Sequence, residues 1–214
     1  MMEYPKIHSL WKRDALTNKI IEGEYSRSEF ESQKLWRVQE KIDGTNVRIT
    51  VTSCEGNVHI ILYEGRTRKA VLHPKLVAHL QAIDFTPFAK AFPSSQAILF
   101  GEGFGAGIQS GGIYRPDRSF ILFDIYFQGQ WATRDDVSNI AKLLNLETPH
   151  DYGLMTQEEI ISFVKSKPHG EYGNKKYITE GIIARSEPLV RFNTQSAHPV
   201  MWKLKVKDFI KGDK

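Results

Sequence analysis

Leu35-Trp36-Arg37-Val38-Gln39-Glu40-Lys41-Ile42-Asp43-Gly44-Thr45-Asn46-Val47-Arg48-Ile49-Thr50-Val51 reads as two strands joined by a turn. Before the turn, Trp36, Val38 and Glu40 alternate with Arg37, Gln39 and Lys41; after it, Val47, Ile49 and Val51 alternate with Arg48 and Thr50. That period of two is the strand period, and Asp-Gly is a turn pair. Lys41 therefore falls at the end of a strand beside a turn, where rigid backbone can aim a side chain.

Outward from this stretch, Val58–Tyr63 reads as a third strand ending at Glu64-Gly65-Arg66. The spacing of Leu76, Val77 and Leu80 predicts a helix over 73–83. Residues 97–102 and 120–126 are apolar runs short enough for buried strands. Residues 134–144, capped by Thr133, and 157–164 are amphipathic helices. The last strands are expected over 178–184 and 200–205, with a helical turn over 206–210. Residues 1–35 form a polar lead-in that contains a short helix near 26–34, capped by Ser26, and they carry no assignable function. Stretches 149–153 and 168–173 read as loops. Strands with interspersed helices but no regular strand–helix alternation give an α+β class.

The 214 residues, 41% of them hydrophobic, are enough to bury one sizeable core, so a single domain over 1–214 is the expectation. Lysine and arginine number 29 against 25 acids, a net charge of +4 that permits nucleic-acid binding without demanding it. The surplus gathers at Arg66-Thr67-Arg68-Lys69, at Lys175-Lys176, and at Lys203, Lys205, Lys207, Lys211 and Lys214. Cys54 has no second cysteine to pair with, which excludes an intrachain disulfide and a cysteine metal cluster, and it is expected to be buried. With no signal-like or long uncharged apolar stretch, an intracellular, soluble, monomeric protein with no membrane partner is expected.

Downstream of Lys41 come, in order, Arg66-Thr67, Glu102 within Phe100-Gly101-Glu102-Gly103-Phe104-Gly105, Phe123-Asp124, Glu180-Gly181-Ile182 and Lys203-Leu204-Lys205. Taken singly, each has an ordinary reading: a turn lysine, a strand-end arginine, a strand-end glutamate, a core phenylalanine. Lys203 and Lys205 are more pointed. Alternation sets both on one face with Trp202 and Leu204 on the other, and two adjacent ammoniums repel unless an anion lies between them.

Taken together and in this order, the motifs resemble the nucleotidyltransferase domain of the ATP-dependent RNA ligases, over about residues 36–209. The resemblance implies two antiparallel sheets flanked by helices with the nucleotide between them. It implies Lys41 as the nucleophile that takes AMP from ATP, and Lys203 and Lys205 as cations against the triphosphate. It further implies that Arg66 contacts nucleotide and phosphate, Glu102 a ribose hydroxyl, and Phe123 the adenine face. Glu180 would hold magnesium, or manganese, through water, and Glu40, Asn46 and Arg48 would lie near the nucleotide. The partners would be ATP and RNA bearing 5′-phosphate and 3′-hydroxyl ends. Nine residues follow Lys205, so a minimal form with little beyond this domain is expected. A lysine of ordinary pKa is about 4.6 kcal/mol from neutrality at pH 7, so neighbouring cations and metal would have to disfavour its ammonium.

Asn46 stands five residues after Lys41, where the related DNA ligases carry arginine, which favours RNA as substrate. A capping-type guanylyltransferase matches less well, and a noncatalytic nucleic-acid-binding module retaining the fold is opposed by the intact motifs. Gly101-Glu102-Gly103-Phe104-Gly105-Ala106 fits a loose dinucleotide fingerprint, but Gly107-Ile108-Gln109-Ser110-Gly111-Gly112 is too glycine-rich for the helix that should follow. Ser110 lacks the glycine spacing of a nucleophile elbow, and the seven histidines show no metal-ligand spacing.

Overall fold

The computed structural model describes residues 2–67, 69–172, 176–194 and 197–210. Arg68, Gly173, Lys175, Lys211 and Lys214, which enter the basic clusters and the loop discussed above, lie outside the described residues. The chain divides into two compact units. Their described parts are residues 2–4, 43–67 and 69–149, and residues 5–42, 150–172, 176–194 and 197–210.

The first unit is built on a five-stranded antiparallel sheet in the order Asn57–Gly65, Thr45–Cys54, Gln96–Phe104, Ser119–Phe127, Gln130–Trp131. The alternation after Lys41 sets its two faces: Val47, Ile49 and Val51 enter a core with Leu99, Phe120, Leu122 and Ile125, and Asn46 and Arg48 take the other face. Helices Pro74–Gln81 and Arg134–Leu143 supply Leu76, Leu80, Val137 and Ile140 to that core. Thr133 caps the second helix as expected, accepting from the Asp136 N–H while the Asp136 side chain returns to the Thr133 backbone. A short helix, Thr86–Ala91, was not apparent from the sequence.

The second unit carries a five-stranded sheet in the order His8–Ser9, Met201–Lys205, Gly181–Glu187, Leu35–Glu40, Asp151–Met155. It is antiparallel except where His8–Ser9 runs parallel to Trp202–Lys203. Trp36, Val38, Ile182, Ala184, Trp202 and Leu204 face its core, where the Trp36 and Trp202 rings meet edge-on at 5.2 Å between centroids. Helix Gln157–Lys165, capped by Thr156, adds Ile160 and Val164.

The mixed α+β class stands, and several local expectations change. The lead-in holds three strands, His8–Ser9, Trp11–Arg13 and Ile20–Tyr25, whose pairing depends partly on residues near 202. Its helix shrinks to Glu29–Ser32, and the Ser26 hydroxyl donates to the Ser9 carbonyl instead of capping it. Asp151–Met155, of which residues 151–153 were expected as loop, is an edge strand with a register shift between Asp151 and Gly153. Cys54 is exposed, not buried: Val47, Ile49, Val51 and Ser53 take the inward positions, which turns Cys54 outward at the strand end. No described helix is long and apolar enough to cross a membrane.

Candidate active site

In the second unit, strand ends bring four of the expected residues together. Lys41 follows Leu35–Glu40, and its N–H donates to the Gly181 carbonyl at 3.0 Å. Gly181 pairs with Lys205 across the sheet, so Glu180 arrives beside both lysines. Glycine is required at 181, since a Cβ there would lie 2.0 Å from the Leu204 carbonyl oxygen. Glu180 then divides its carboxylate: Oε2 accepts from Lys41 Nζ at 2.7 Å and Oε1 from Lys205 Nζ at 2.5 Å. All three side chains are at most 22% exposed, so solvent screens the triad only in part.

Lys203 stands on the same strand face as Lys205, with Trp202 and Leu204 buried opposite, as the alternation required. Burial, followed by the charges of Lys41 and Lys205, pushes its ammonium down to about 8, against a smaller opposing pull from Glu180. A group of this kind gains from a multivalent anion. Among the described residues no cluster of three or more His, Cys, Asp or Glu side chains is arranged to hold a metal. The chemistry at hand is a lone carboxylate, which suits a cation that keeps most of its water and does not suit a caged site.

Glu40 turns away from these lysines. It is 1% exposed, with Oε1 taking the Tyr177 hydroxyl at 2.6 Å and Oε2 the Glu171 N–H at 3.0 Å. The sequence carried no signal for Tyr177, whose contact depends on a loop 137 residues away.

In the first unit, Asn46 pairs with Glu102 across neighbouring strands, so the two polar side chains share the face opposite the core. The Asn46 side-chain oxygen is buried with no hydrogen-bond partner, an acceptor position suited to a ligand donor. Gly44 packs against the same corner, where a Cβ would lie 2.3 Å from the Gly103 carbonyl oxygen and 2.9 Å from Glu102 Cγ. Phe123 reaches this face through a bulge. Phe100 pairs with Asp124 and Gly101 with Leu122, which leaves Phe123 as the extra residue. Phe120, Leu122 and Ile125 enter the core while Phe123 stays half-buried outside it.

The two expected arginines differ in exposure. Arg48 is 1% exposed, held by Glu64 through Nε at 3.1 Å and Nη2 at 3.0 Å, with Nη1 donating to the Met2 carbonyl at 2.6 Å. Its guanidinium joins strand to strand and to the N-terminal residues. Arg66 lies exposed just past the strand Asn57–Gly65. Asp43, unassigned from sequence, is fixed by its N–H to the Tyr114 hydroxyl at 3.0 Å and by the Ser110 N–H to its Oδ2 at 3.3 Å.

The family described as RNA ligase matches residues 34–205 of this chain. No curated protein matches significantly. Among solved structures, an archaeal ATP-dependent RNA ligase is 16% identical with a TM-score of 0.59, over 98% of this chain and 49% of that one. A Naegleria gruberi RNA ligase variant without ligand is 17% identical with a TM-score of 0.56, over 83% of this chain and 50% of that one. Another Naegleria gruberi variant, solved with AMP and manganese, is 17% identical with a TM-score of 0.58, over 95% and 57%. At these identities the likeness is one of fold, and this chain spans about half the length of the structures it matches.

Proposed function

This chain belongs to the RNA ligase family, and from that premise we propose that it is an ATP-dependent RNA ligase working through a lysyl-AMP intermediate on Lys41. In the first step the deprotonated Lys41 Nζ attacks the α-phosphorus of ATP, a P–N bond forms, and pyrophosphate leaves. In the second an oxygen of an RNA 5′-phosphate attacks the same phosphorus and frees Lys41. In the third an RNA 3′-hydroxyl attacks the activated 5′-phosphorus, loses its proton, and releases AMP as the phosphodiester forms. The substrates, ATP and RNA, belong inside the cell. Residues 1–214 would act together as one nucleotidyltransferase domain.

The observation that carries this reading is the sharing of Glu180 between Lys41 and Lys205, with Lys203 beside them. Three ammoniums around one carboxylate leave a positive excess that a triphosphate would neutralise. Lys203 and Lys205 are assigned to the phosphates, and Lys41 must give up its proton to become a nucleophile. A divalent cation held through water at Glu180, magnesium or manganese, supplies further positive charge beside Lys41 when bound. In the other unit Phe123 is assigned to the adenine face, Asn46 and Glu102 to polar groups of the nucleoside, and Arg66 to phosphate. Glu40 and Arg48 are assigned a supporting part, because their charged groups are already engaged within the protein.

The test is joining of 5′-phosphorylated RNA in the presence of ATP or GTP with magnesium or manganese. Joined RNA and release of AMP with ATP are expected, with GTP inactive. GTP dependence would point to a capping-type enzyme, and failure to form any protein–nucleotide adduct to a noncatalytic module.

A further inference from the structure

Residues 2–4 have a place in the first unit that the sequence did not disclose. Tyr4 is 7% exposed, with ring centroids of Phe100 at 5.0 Å, Phe123 at 5.0 Å and Trp131 at 5.8 Å. Its hydroxyl donates to Asp124 Oδ2 at 2.9 Å, and Asp124 has no exposed surface. Met2 meanwhile accepts from Arg48. The segment thus rests on the sheet face that also carries Asn46 and Glu102, and is held at Met2 and again at Tyr4.

The bulge explains why that contact matters. Phe123 and Asp124 are consecutive, yet the extra residue brings both onto the face opposite the core. As the extra residue, Phe123 has no cross-strand partner in the register to lean against. Tyr4 meets it edge-on, at an interplanar angle of 64°. An edge-to-face neighbour limits how far a ring can tilt, and a ring already fixed loses less freedom when a base stacks on it.

We propose that Tyr4 is a positioning residue of the nucleotide site: its ring holds Phe123 and its hydroxyl anchors Asp124, so that the exposed face of Phe123 is ready for the base. This rests on the reading that Phe123 stacks on the adenine of ATP.

The experiment measures KM for ATP and the maximal rate of Lys41 adenylylation in Tyr4→Ala, Tyr4→Phe, Phe123→Ala and the Tyr4→Ala/Phe123→Ala double variant. Tyr4→Ala should raise KM by about tenfold, the scale of one aromatic contact, with a maximal rate close to that of the parent. Tyr4→Phe keeps the ring and should show a smaller rise. The double variant should be no worse than Phe123→Ala, because Tyr4 acts through Phe123. A fall in maximal rate with unchanged KM in Tyr4→Ala, or effects that multiply in the double variant, would overturn the proposal. A raised KM in Phe123→Ala beside an unchanged one in Tyr4→Ala overturns it alone, whereas an unchanged KM in Phe123→Ala overturns the stacking reading and the proposal with it. Should Tyr4→Ala fail to fold, Tyr4→Leu fills the volume without the ring and carries the same expectations.

Discussion

Lys41 Nζ lies 2.7 Å from Glu180 Oε2, a pair made by residues 139 apart in sequence. The proposed nucleophile is therefore held as an ion pair, and the carboxylate that holds it also serves Lys205. Glu180→Ala would leave three ammoniums facing one another. The loss should fall between the roughly 0–1 kcal/mol of an exposed ion pair and the roughly 3–5 kcal/mol of a buried one. Since the remaining interaction is repulsive and partly solvated, added salt should raise the Tm of the variant more steeply than that of the parent. Thermal unfolding across a salt series checks this, and equal slopes would show that the triad is not electrostatically coupled. Adenylylation should fall by about a hundredfold or more, as with loss of one charge-stabilising group.

Lys203 makes pH an independent probe. Its folded value of about 8 lies below the ordinary lysine range, so between that pH and the unfolded value the unfolded chain binds the extra proton. The charged form opposes folding at lower pH, and stability from this group rises as pH climbs through that window. Its charge against the phosphates is lost over the same range. We expect kcat/KM for ATP to decline above about pH 8, and the decline to be absent in Lys203→Arg, whose guanidinium stays charged. An identical alkaline limb in both proteins would assign it elsewhere.

Gly44→Ala tests the corner between the turn and the Gln96–Phe104 strand. The added methyl would meet backbone, the Gly103 carbonyl oxygen at 2.3 Å, and the strand cannot yield as a flexible side chain would. A loss of about 1–3 kcal/mol, the usual cost of overpacking, is expected in denaturant unfolding, with weaker nucleotide binding because Glu102 is displaced. A variant of unchanged stability would mean that the corner opens freely.

How much of this was legible in the sequence varies by residue. Period two on both sides of Lys41 gave the two strands, and the same period separated Lys203 and Lys205 from Trp202 and Leu204, because one face is apolar and the other is not. Residues 120–123 are apolar at every position, so no alternation could reveal the bulge that turns Phe123 outward. The partners of Arg48, Glu64 and the Met2 carbonyl, were not legible because they are fixed by strand register and by the path of the N-terminal residues. The partners of Glu40 were hidden in the same way: Tyr177 and Glu171 reach it through tertiary packing alone. The lead-in strands are short and polar, and His8–Ser9 becomes a strand only by lying beside Trp202–Lys203. The turn glycine at 44 was recognised, but its reason, close approach to Gly103, belongs to the fold.

A covalent bond between Lys41 and AMP underlies the proposed reaction. Incubation with ATP and magnesium or manganese, followed by proteolysis and peptide mass mapping, tests it directly. AMP is expected on the peptide bearing Lys41 and on no other, and its absence is expected in both Lys41→Ala and Lys41→Arg, since a guanidinium stays protonated and does not attack phosphorus. AMP on a different residue, or an adduct that survives in Lys41→Ala, would show that Lys41 is not the nucleophile.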